Sequence, residues 1–173
     1  DIRYPTPLVP RNQRREVNER IRHDGSMEIE LNLDEVRRMV DELLSRHQIE
    51  ALAVCLLQSF INPDHENKIR ELIDTHYPGL FVSTSASVLP YAREYERWTS
   101  TVINAFTQPL VDRYLNNIEH GLKRRGLDGS LYIMTSSGGT VTPATARRFP
   151  VRMLESGPAA GVLISAHHGR RLG

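Results

Sequence analysis

The sequence predicts an α/β fold with a parallel sheet, because strand-like and helix-like patterns alternate along its first half. The longest apolar run, Ala51–Leu57, has the length of a strand that is buried on both faces. Helical patterns lie on either side of it, and a second short strand follows at Leu80–Ser83. Alternation of this kind is typical of parallel strands joined by crossover helices.

Length and composition exclude several classes of protein. The 173 residues suffice for one domain or for pieces of two, and 39% hydrophobic and 25% charged residues exclude a disordered or collagen-like chain. No apolar run approaches the ~20 residues that span a bilayer, and the net charge of +1 argues against nucleic acid as the main partner. The one cysteine, Cys55, predicts a buried, inert thiol in a reducing, cytoplasmic compartment.

The elements of the first half follow from caps, turns and periodicity. Tyr4–Pro10 holds three prolines and predicts a stiff connector. Alternating residues in Glu16–Ile21 and from Met27 onward flank a turn at Asp24-Gly25, which predicts a hairpin. Asn32 and Glu35 fit a capping box at the start of a helix.

A second helix of the first half is predicted from Asn62-Pro63-Asp64 to about His76, with Asn62 as its cap. The second half begins near residue 90, so we expect two domains, 1–90 and 91–173. Glu94–Arg125 has an apolar residue at every fourth position, which predicts a long helix that Pro109 bends or splits and Gly126 ends.

The first glycine-rich segment, Thr135–Thr140, follows a predicted buried strand at Leu131–Met134. The segment is therefore expected at the carboxyl edge of a sheet, where α/β proteins bind ligands. Gly138 and Gly139 lack Cβ atoms and let backbone N–H groups approach an anion or an amide. The alternative is an ordinary tight turn. A short helix capped by Thr142 comes next.

The second glycine-rich segment, Ser156–Gly161, leads into a helix of small residues. The N–H groups at a helix start attract phosphate or carboxylate, whereas small residues also permit close helix packing, so both explanations stay open. A third polar cluster, Glu94–Thr101, surrounds the single tryptophan, Trp98. It either lines a cleft or supplies helix caps and weak ion pairs.

Several catalytic signatures are absent from the sequence. No lysine follows either glycine cluster as in a P-loop, no Gly-x-Ser-x-Gly elbow occurs, and no histidine has zinc-finger spacing. Ser137–Thr142 is similar to the Asp-x-Gly-Gly-Thr-x-Thr phosphate loop of actin-like ATPases. Ser136 stands in the place of its aspartate, and a hydroxyl is a poor ligand for Mg²⁺. We therefore do not interpret this segment as the ATP loop.

Five segments, in chain order, resemble motifs of the hydantoinase A/5-oxoprolinase family. Tyr4–Arg11 resembles Y-x-x-P-L-V-P-R, and Ala51–Glu66 contains A-V-C-L-L-x-S-Y/F-x-N-P-x-H-E. Arg93–Ala105 is similar to R-E-Y-E-R-x-x-T-x-x-x-N-A, Met134–Gly139 to M-Q-S-N-G-G, and Ser156–Val162 to S-G-P-A-A-G-V. The resemblance covers nearly the whole chain.

The resemblance implies an actin-like ATPase (ribonuclease H-like) fold, of which this chain holds parts of two lobes. It implies ATP-dependent opening of a cyclic amide such as hydantoin, N-methylhydantoin or 5-oxoproline, in which phosphorylation of the ring's amide oxygen allows water to attack. Mg²⁺ would offset the phosphate charge, and a hydantoinase B-type subunit would be the partner. The alternatives are an acetone-carboxylase-like subunit and a non-catalytic assembly module that docks a partner through the long helix.

The sequence departs from the family pattern at its ends and at two inner positions. The two Asp-x-Gly-Gly-Thr loops of the family are expected before Asp1 and after Gly173, so we expect an internal fragment that has no cofactor and no ATPase activity of its own. Ser136-Ser137 stands where the family has Ser-Asn, and Trp98 stands where a small residue is common.

The candidate cleft residues share a place in these polar and glycine-rich segments, and no general base or metal ligand is assigned among them. They are Glu94, Arg97, Ser137, Gly138, Gly139, Ser156 and Gly157.

Overall fold

The structure is a computed structural model that describes residues 6–172. The chain forms two compact units, unit 1 (Asp1–Phe106) and unit 2 (Thr107–Gly173). Tyr4 and Pro5 of the predicted connector, like the two chain ends, lie outside the described residues. A single 3-10 turn, Arg11–Gln13, follows the connector. The division into domains near residue 90 stays a prediction.

Unit 1 begins with the predicted hairpin. Strand β1 (Arg20–Ile21) pairs antiparallel with β2 (Met27–Ile29), so β1 is shorter than the sequence pattern predicts. In the turn, Asp24 Oδ1 accepts hydrogen bonds from the backbone N–H of Ser26 at 2.9 Å and from its hydroxyl at 2.6 Å. Gly25 adopts a φ of +84°, a conformation that glycine tolerates without strain.

A strand–helix–strand unit follows the hairpin and confirms the predicted alternation. Its elements are α1 (Leu33–His47), β3 (Ala51–Val54), α2 (Asp64–His76) and β4 (Phe81–Thr84), and β3 runs parallel to β4 with Ala51 opposite Phe81. Asn32 caps α1, because its side chain accepts from the N–H groups of Asp34 and Glu35.

The core of unit 1 lies among α1, α2 and the two parallel strands. It consists of buried aliphatic side chains: Leu31, Val36, Val40, Val54, Ile69, Leu72, Ile73 and Val82. The prediction of a seven-residue strand buried on both faces is wrong in its extent. β3 ends at Val54, and its first three residues are half-buried. Among the described residues it pairs with one strand alone, β4.

Two helices complete this part of the chain. The short α3 (Ser85–Val88) directly follows β4, and the long α4 runs from Glu94 to Arg124. α4 continues through Pro109 as one helix, so of the two predicted outcomes the split is wrong and the bend stays a prediction. Proline removes a single backbone donor, and the remaining turns on both sides sustain the helix. Gly126, with φ +81°, follows its end as predicted.

Unit 2 places the first glycine-rich segment in a hairpin. β5 (Ile133–Met134) pairs antiparallel with β6 (Thr140–Val141), so the segment joins two antiparallel strands and does not end at the edge of a parallel sheet. α5 (Pro143–Arg148) is capped by Thr142 as predicted, and α6 spans Ser156–Leu172. No helix among residues 6–172 is long and apolar enough to cross a membrane.

Candidate functional site

The hairpin turn of unit 2 is held together by its own backbone. The N–H of Thr135 donates to the carbonyl of Gly139 at 2.8 Å, and the N–H of Gly138 donates to the carbonyl of Thr135 at 3.0 Å. The Thr135 hydroxyl also donates to the Gly139 carbonyl at 3.1 Å. Gly138 has a φ of +85°, which other residues adopt with strain. The geometry is that of a tight turn, with the exposed Ser137 and Gly139 at its surface.

The same turn packs against the beginning of α6. The N–H of Ser136 donates to the Arg152 carbonyl at 2.7 Å, and the Ser136 hydroxyl accepts from the N–H of Glu155 at 3.1 Å. Gly138 lies so close to Leu163 that a Cβ on the glycine would be 2.9 Å from the leucine Cδ1. The two glycine-rich segments that the sequence singles out are therefore neighbours within unit 2.

The first turn of α6 presents polar backbone beside that hairpin. Ser156 is half-buried and Gly157 is exposed, while Pro158 has no N–H to donate. A helix start carries a partial positive charge and unpaired N–H groups, which favour an anion or a carbonyl oxygen. Glu155, just before the helix, is exposed and places one carboxylate at this surface. The exposed groups at this surface are thus backbone N–H groups at the helix start and the Glu155 carboxylate.

Arg97, the candidate in unit 1, is a buried side chain with 0% exposure. Its Nη1 donates to the Tyr91 carbonyl at 2.6 Å, its Nη2 to the Leu56 carbonyl at 3.1 Å, and its Nε to the Ser85 hydroxyl at 3.2 Å. The guanidinium also lies 5.3 Å from the ring centre of Phe60, a distance at which cation–π attraction operates.

Glu94, the other candidate in unit 1, is the first residue of α4, and its side chain is 40% exposed. Its carboxylate lies 4.0 Å from Nη2 of Arg97, at the outer limit of an ion pair. The structure therefore brings Glu94 and Arg97 together at the first turn of α4, with the carboxylate at the surface and the guanidinium inside.

Sequence reasoning missed two residues that complete this cluster, Glu66 and Ser85, each 0% exposed. Oε1 of Glu66 accepts from the N–H of Leu56 at 2.9 Å and from the Ser85 hydroxyl at 2.7 Å, and Oε2 accepts from the N–H of Ala86 at 2.8 Å. Glu66 ends the Asn62–Glu66 motif, which was the one signal in the sequence. We call this cluster of Glu66, Ser85 and Arg97 the buried polar network.

The half-buried Cys55 and the buried His65 in unit 1 also have unusual surroundings. Burial raises the pKa of the Cys55 thiol to about 12, with a smaller contribution from the nearby Glu66 carboxylate. This agrees with the inert thiol that the sequence predicts. His65 Nδ1 lies 2.7 Å from Glu19 Oε2, and its Nε2 has no hydrogen-bond partner in the part of the chain that the structure describes.

Other surfaces of the described chain offer little for metal or ligand chemistry. Residues 6–172 contain no cluster of three His, Cys, Asp or Glu side chains able to hold a metal ion. An open groove of about 570 Å³ in unit 2 is lined at the end of α4 by Glu119 and Lys123 and on its other side by Leu127, Leu131 and Pro143. None of the seven candidate residues lines it.

Comparison with known proteins covers nearly the whole chain. The profile of the hydantoinase/oxoprolinase N-terminal region matches residues 1–77, and the hydantoinase/oxoprolinase profile matches residues 97–173. An uncharacterized protein of Methanocaldococcus jannaschii is 39% identical over 97% of this chain. The caprolactamase subunit alpha of Pseudomonas jessenii is 32% identical over 92% of it.

Two solved structures share the fold of the chain. The crystal structure of the ATP-dependent caprolactamase from Pseudomonas jessenii superposes with a TM-score of 0.86 and 31% identity, over 98% of this chain and 25% of that one. The nucleotide-free structure of acetone carboxylase superposes with a TM-score of 0.82 and 29% identity, over 99% of this chain and 24% of that one. The chain likewise spans 25% of the Methanocaldococcus protein and 23% of the caprolactamase subunit, about a quarter of each relative.

Proposed function

The chain belongs to the hydantoinase/oxoprolinase family, and from this premise we propose that it is part of a longer, ATP-dependent enzyme that hydrolyses a cyclic amide. The observation that carries the proposal is the likeness to the ATP-dependent caprolactamase along 98% of the chain. The α/β fold predicted from the sequence is confirmed by the same likeness and is consistent with part of an actin-like ATPase.

The proposed substrate class is a ring that contains an amide, as in hydantoin, N-methylhydantoin, 5-oxoproline or caprolactam. An amide carbonyl resists attack by water, and a bound ATP would supply the driving force by phosphorylating the amide oxygen. A second candidate function, ATP-dependent carboxylation of a ketone, is favoured by the likeness to acetone carboxylase at a TM-score of 0.82.

Within this chain we propose that the hairpin turn and the start of α6 bind and orient the small ligand. Gly138 and Gly139 keep the turn tight, and Ser156 and Gly157 begin the helix directly after Glu155, whose N–H donates to the Ser136 hydroxyl. Ser137 at the exposed tip of the turn supplies a hydroxyl that lies 2.9 Å from the hydroxyl of Thr135. Backbone N–H groups at such a place favour an oxygen that gains negative charge during the reaction.

Residues 6–172 contain no cluster of three His, Cys, Asp or Glu side chains that could hold a metal ion. We therefore assign no residue of this chain to Mg²⁺ and derive no step through it. We propose that any metal ligands, like the phosphate-binding loops, belong to the remaining three quarters of the polypeptide.

A partner subunit is part of the proposal, because the matched caprolactamase chain is named as a subunit alpha. A hydantoinase B-type subunit is the partner that we expect, in the cytoplasm. The remaining alternative is a non-catalytic assembly module that binds a partner subunit. The substrate comparison described next tests this alternative as well.

The experiment compares substrates on the full-length protein, produced together with its partner subunit. ADP release is measured with caprolactam, 5-oxoproline, hydantoin and N-methylhydantoin, and in parallel with acetone plus bicarbonate. We expect ADP release that depends on one of the cyclic amides and matches the amount of ring-opened product. Turnover with acetone plus bicarbonate alone would favour the carboxylase, and co-purification of a partner without any turnover would favour the assembly module.

The isolated 173-residue chain is the matched control in that experiment. We expect it to hydrolyse no ATP with any of these compounds. ATPase activity of the purified chain would contradict the assignment of the phosphate-binding loops to the rest of the polypeptide.

A further inference from the structure

We propose that Glu66, Ser85 and Arg97 are positioning residues that fix the first turn of α4 to the carboxyl ends of β3 and β4. The proposal goes beyond the proposed function, because it concerns how Glu94, a candidate cleft residue of unit 1, is held at the surface. The activity test of this proposal rests on the proposed function, whereas its hydrogen-exchange test does not.

The three residues join segments that are far apart in the sequence. Leu56 lies two residues after β3, Ser85 and Ala86 directly follow β4, and Arg97 lies in the first turn of α4. Glu66 and Arg97 each bind Leu56, the former at its N–H and the latter at its carbonyl. In α/β sheets the carboxyl ends of parallel strands are the edge at which ligands bind. The network therefore connects that edge to α4.

Ser85 is the central residue of the network, because its hydroxyl bonds both Glu66 and Arg97. The Ser85 hydroxyl donates its single proton to Oε1 of Glu66 at 2.7 Å. The hydroxyl oxygen then accepts from Nε of Arg97 at 3.2 Å. A positive and a negative charge are thus connected through one hydroxyl, and Ser59, with its hydroxyl 3.0 Å away, completes its surroundings.

Because Glu66, Ser85 and Arg97 are completely buried, they do not contact a ligand directly and act by positioning other groups. Glu66, Ser85 and Arg97 are each 0% exposed, and within residues 6–172 the carboxylate and the guanidinium each make three hydrogen bonds. A buried charge is stable only when its hydrogen bonds are made, so the network has one favoured arrangement. Glu94, three residues before Arg97 and 40% exposed, is the group whose place depends on it.

The test substitutes the bridging hydroxyl in the full-length protein and measures amide hydrogen exchange of residues 91–97. Ser85→Ala removes both the donor to Glu66 and the acceptor of Arg97, and we expect exchange there to be about tenfold faster. Ser85→Thr retains a hydroxyl and should restore most of the protection. Glu71→Gln, at an exposed position on α2, is the matched control and should change exchange less than about twofold.

The activity readout uses the same variants with the cyclic amide that the parent enzyme turns over. Misplacement of the first turn of α4 should lower kcat/KM about tenfold in Ser85→Ala, with rescue in Ser85→Thr. Parent enzyme without any turnover would refute the proposed function, while faster exchange in Ser85→Ala would still support the positioning role.

Unchanged exchange at residues 91–97 in Ser85→Ala would overturn the inference, as would faster exchange spread evenly over unit 1. If Ser85→Ala does not fold, Arg97→Lys gives the answer, because one ammonium nitrogen replaces three guanidinium donors. We expect the same local increase in exchange for Arg97→Lys, and normal protection of residues 91–97 in that variant would refute the role of the network.

Discussion

The two units of the chain hold their candidate residues by opposite means. In unit 1, charged side chains that are 0% exposed connect the ends of β3 and β4 to α4. In unit 2, the hairpin turn is held by backbone hydrogen bonds and by a glycine that leaves room for Leu163. The arrangement in unit 1 depends on particular side chains, whereas the arrangement in unit 2 depends on a glycine that has no side chain.

This difference predicts how each unit responds to substitution. Removing a member of a buried polar network leaves its partners without hydrogen bonds, which costs more than the interaction itself contributes. Adding a methyl group to a glycine turn costs backbone strain and overlap, and a smaller neighbour relieves part of that cost. Substitutions in the buried network should therefore cost more stability than substitutions in the glycine turn.

The largest effect is expected for Glu66→Ala in unit 1. The substitution leaves the N–H groups of Leu56 and Ala86 without their acceptor and Arg97 without a buried counter-charge. We expect the free energy of unfolding to fall by about 3–5 kcal/mol, which urea denaturation of the full-length protein measures.

Glu71→Ala is the control for that prediction, because Glu71 is exposed on the same helix. Its effect should stay within about 0.5 kcal/mol, as is usual for surface substitutions. Equal losses in the two variants would show that the helix, and not the buried network, determines the cost.

A smaller effect is expected for Gly138→Ala in unit 2. The new methyl group would have to occupy a φ of +85° and would lie 2.9 Å from Cδ1 of Leu163. We expect a loss of about 1–3 kcal/mol in the free energy of unfolding. In the double variant with Leu163→Ala the overlap disappears, so we expect its loss of unfolding free energy to be smaller than the sum of the two single losses.

Gly157→Ala serves as the matched comparison, because Gly157 has no neighbour within 4 Å of an added Cβ and lies in the first turn of α6. It should leave stability unchanged or raise it by up to about 1 kcal/mol. Activity lost in Gly157→Ala while stability holds would therefore support ligand contact at the helix start, and strong destabilisation would contradict the geometry of unit 2.

The sequence predicts those parts of the fold that depend on neighbours along the chain. Asn32 and Thr142 cap α1 and α5 as their positions indicate, because a capping side chain bonds N–H groups two or three residues away. The long helix also follows from its period. The sequence predicts that Pro109 bends or splits this helix. The split is wrong, because one lost hydrogen bond weighs little against the turns on either side.

The candidate site is only partly readable from the sequence. The glycine segments are conspicuous, but the bond between Ser136 and Glu155 joins residues 19 positions apart, and no local pattern predicts it. Glu66 lies in the first turn of α2, and its burial depends on contacts with residues after β3 and β4, which the sequence does not bring together. Long-range contacts of this kind require the tertiary structure.

The smallest expected effect concerns Cys55, the one cysteine of the chain. Its pKa is raised to about 12, above the value of about 8.5 expected in the unfolded chain, since burial disfavours the thiolate. The neutral thiol therefore favours the folded state fully below about pH 8.5, and this contribution is lost as the pH rises toward 12. Ellman's reagent at pH 8 should react with the urea-unfolded protein and leave the folded protein nearly untouched.

Cys55→Ala should correspondingly flatten the fall in unfolding free energy between about pH 9 and 11, while its effect at pH 7 reflects lost packing alone. Tyr77, whose pKa burial also raises to about 12, contributes to the same slope from about pH 10, so Tyr77→Phe is measured beside it. The pH dependence of unit 2 has the opposite sign. The hydrogen bond from Arg147 lowers the pKa of Glu119, so the stability that this bond contributes is lost as the pH falls through the lowered pKa.

Rapid labelling of Cys55 in the folded protein would mean that the interior of unit 1 is open to solvent. The contrast between a buried polar network and an exposed glycine turn would then fail.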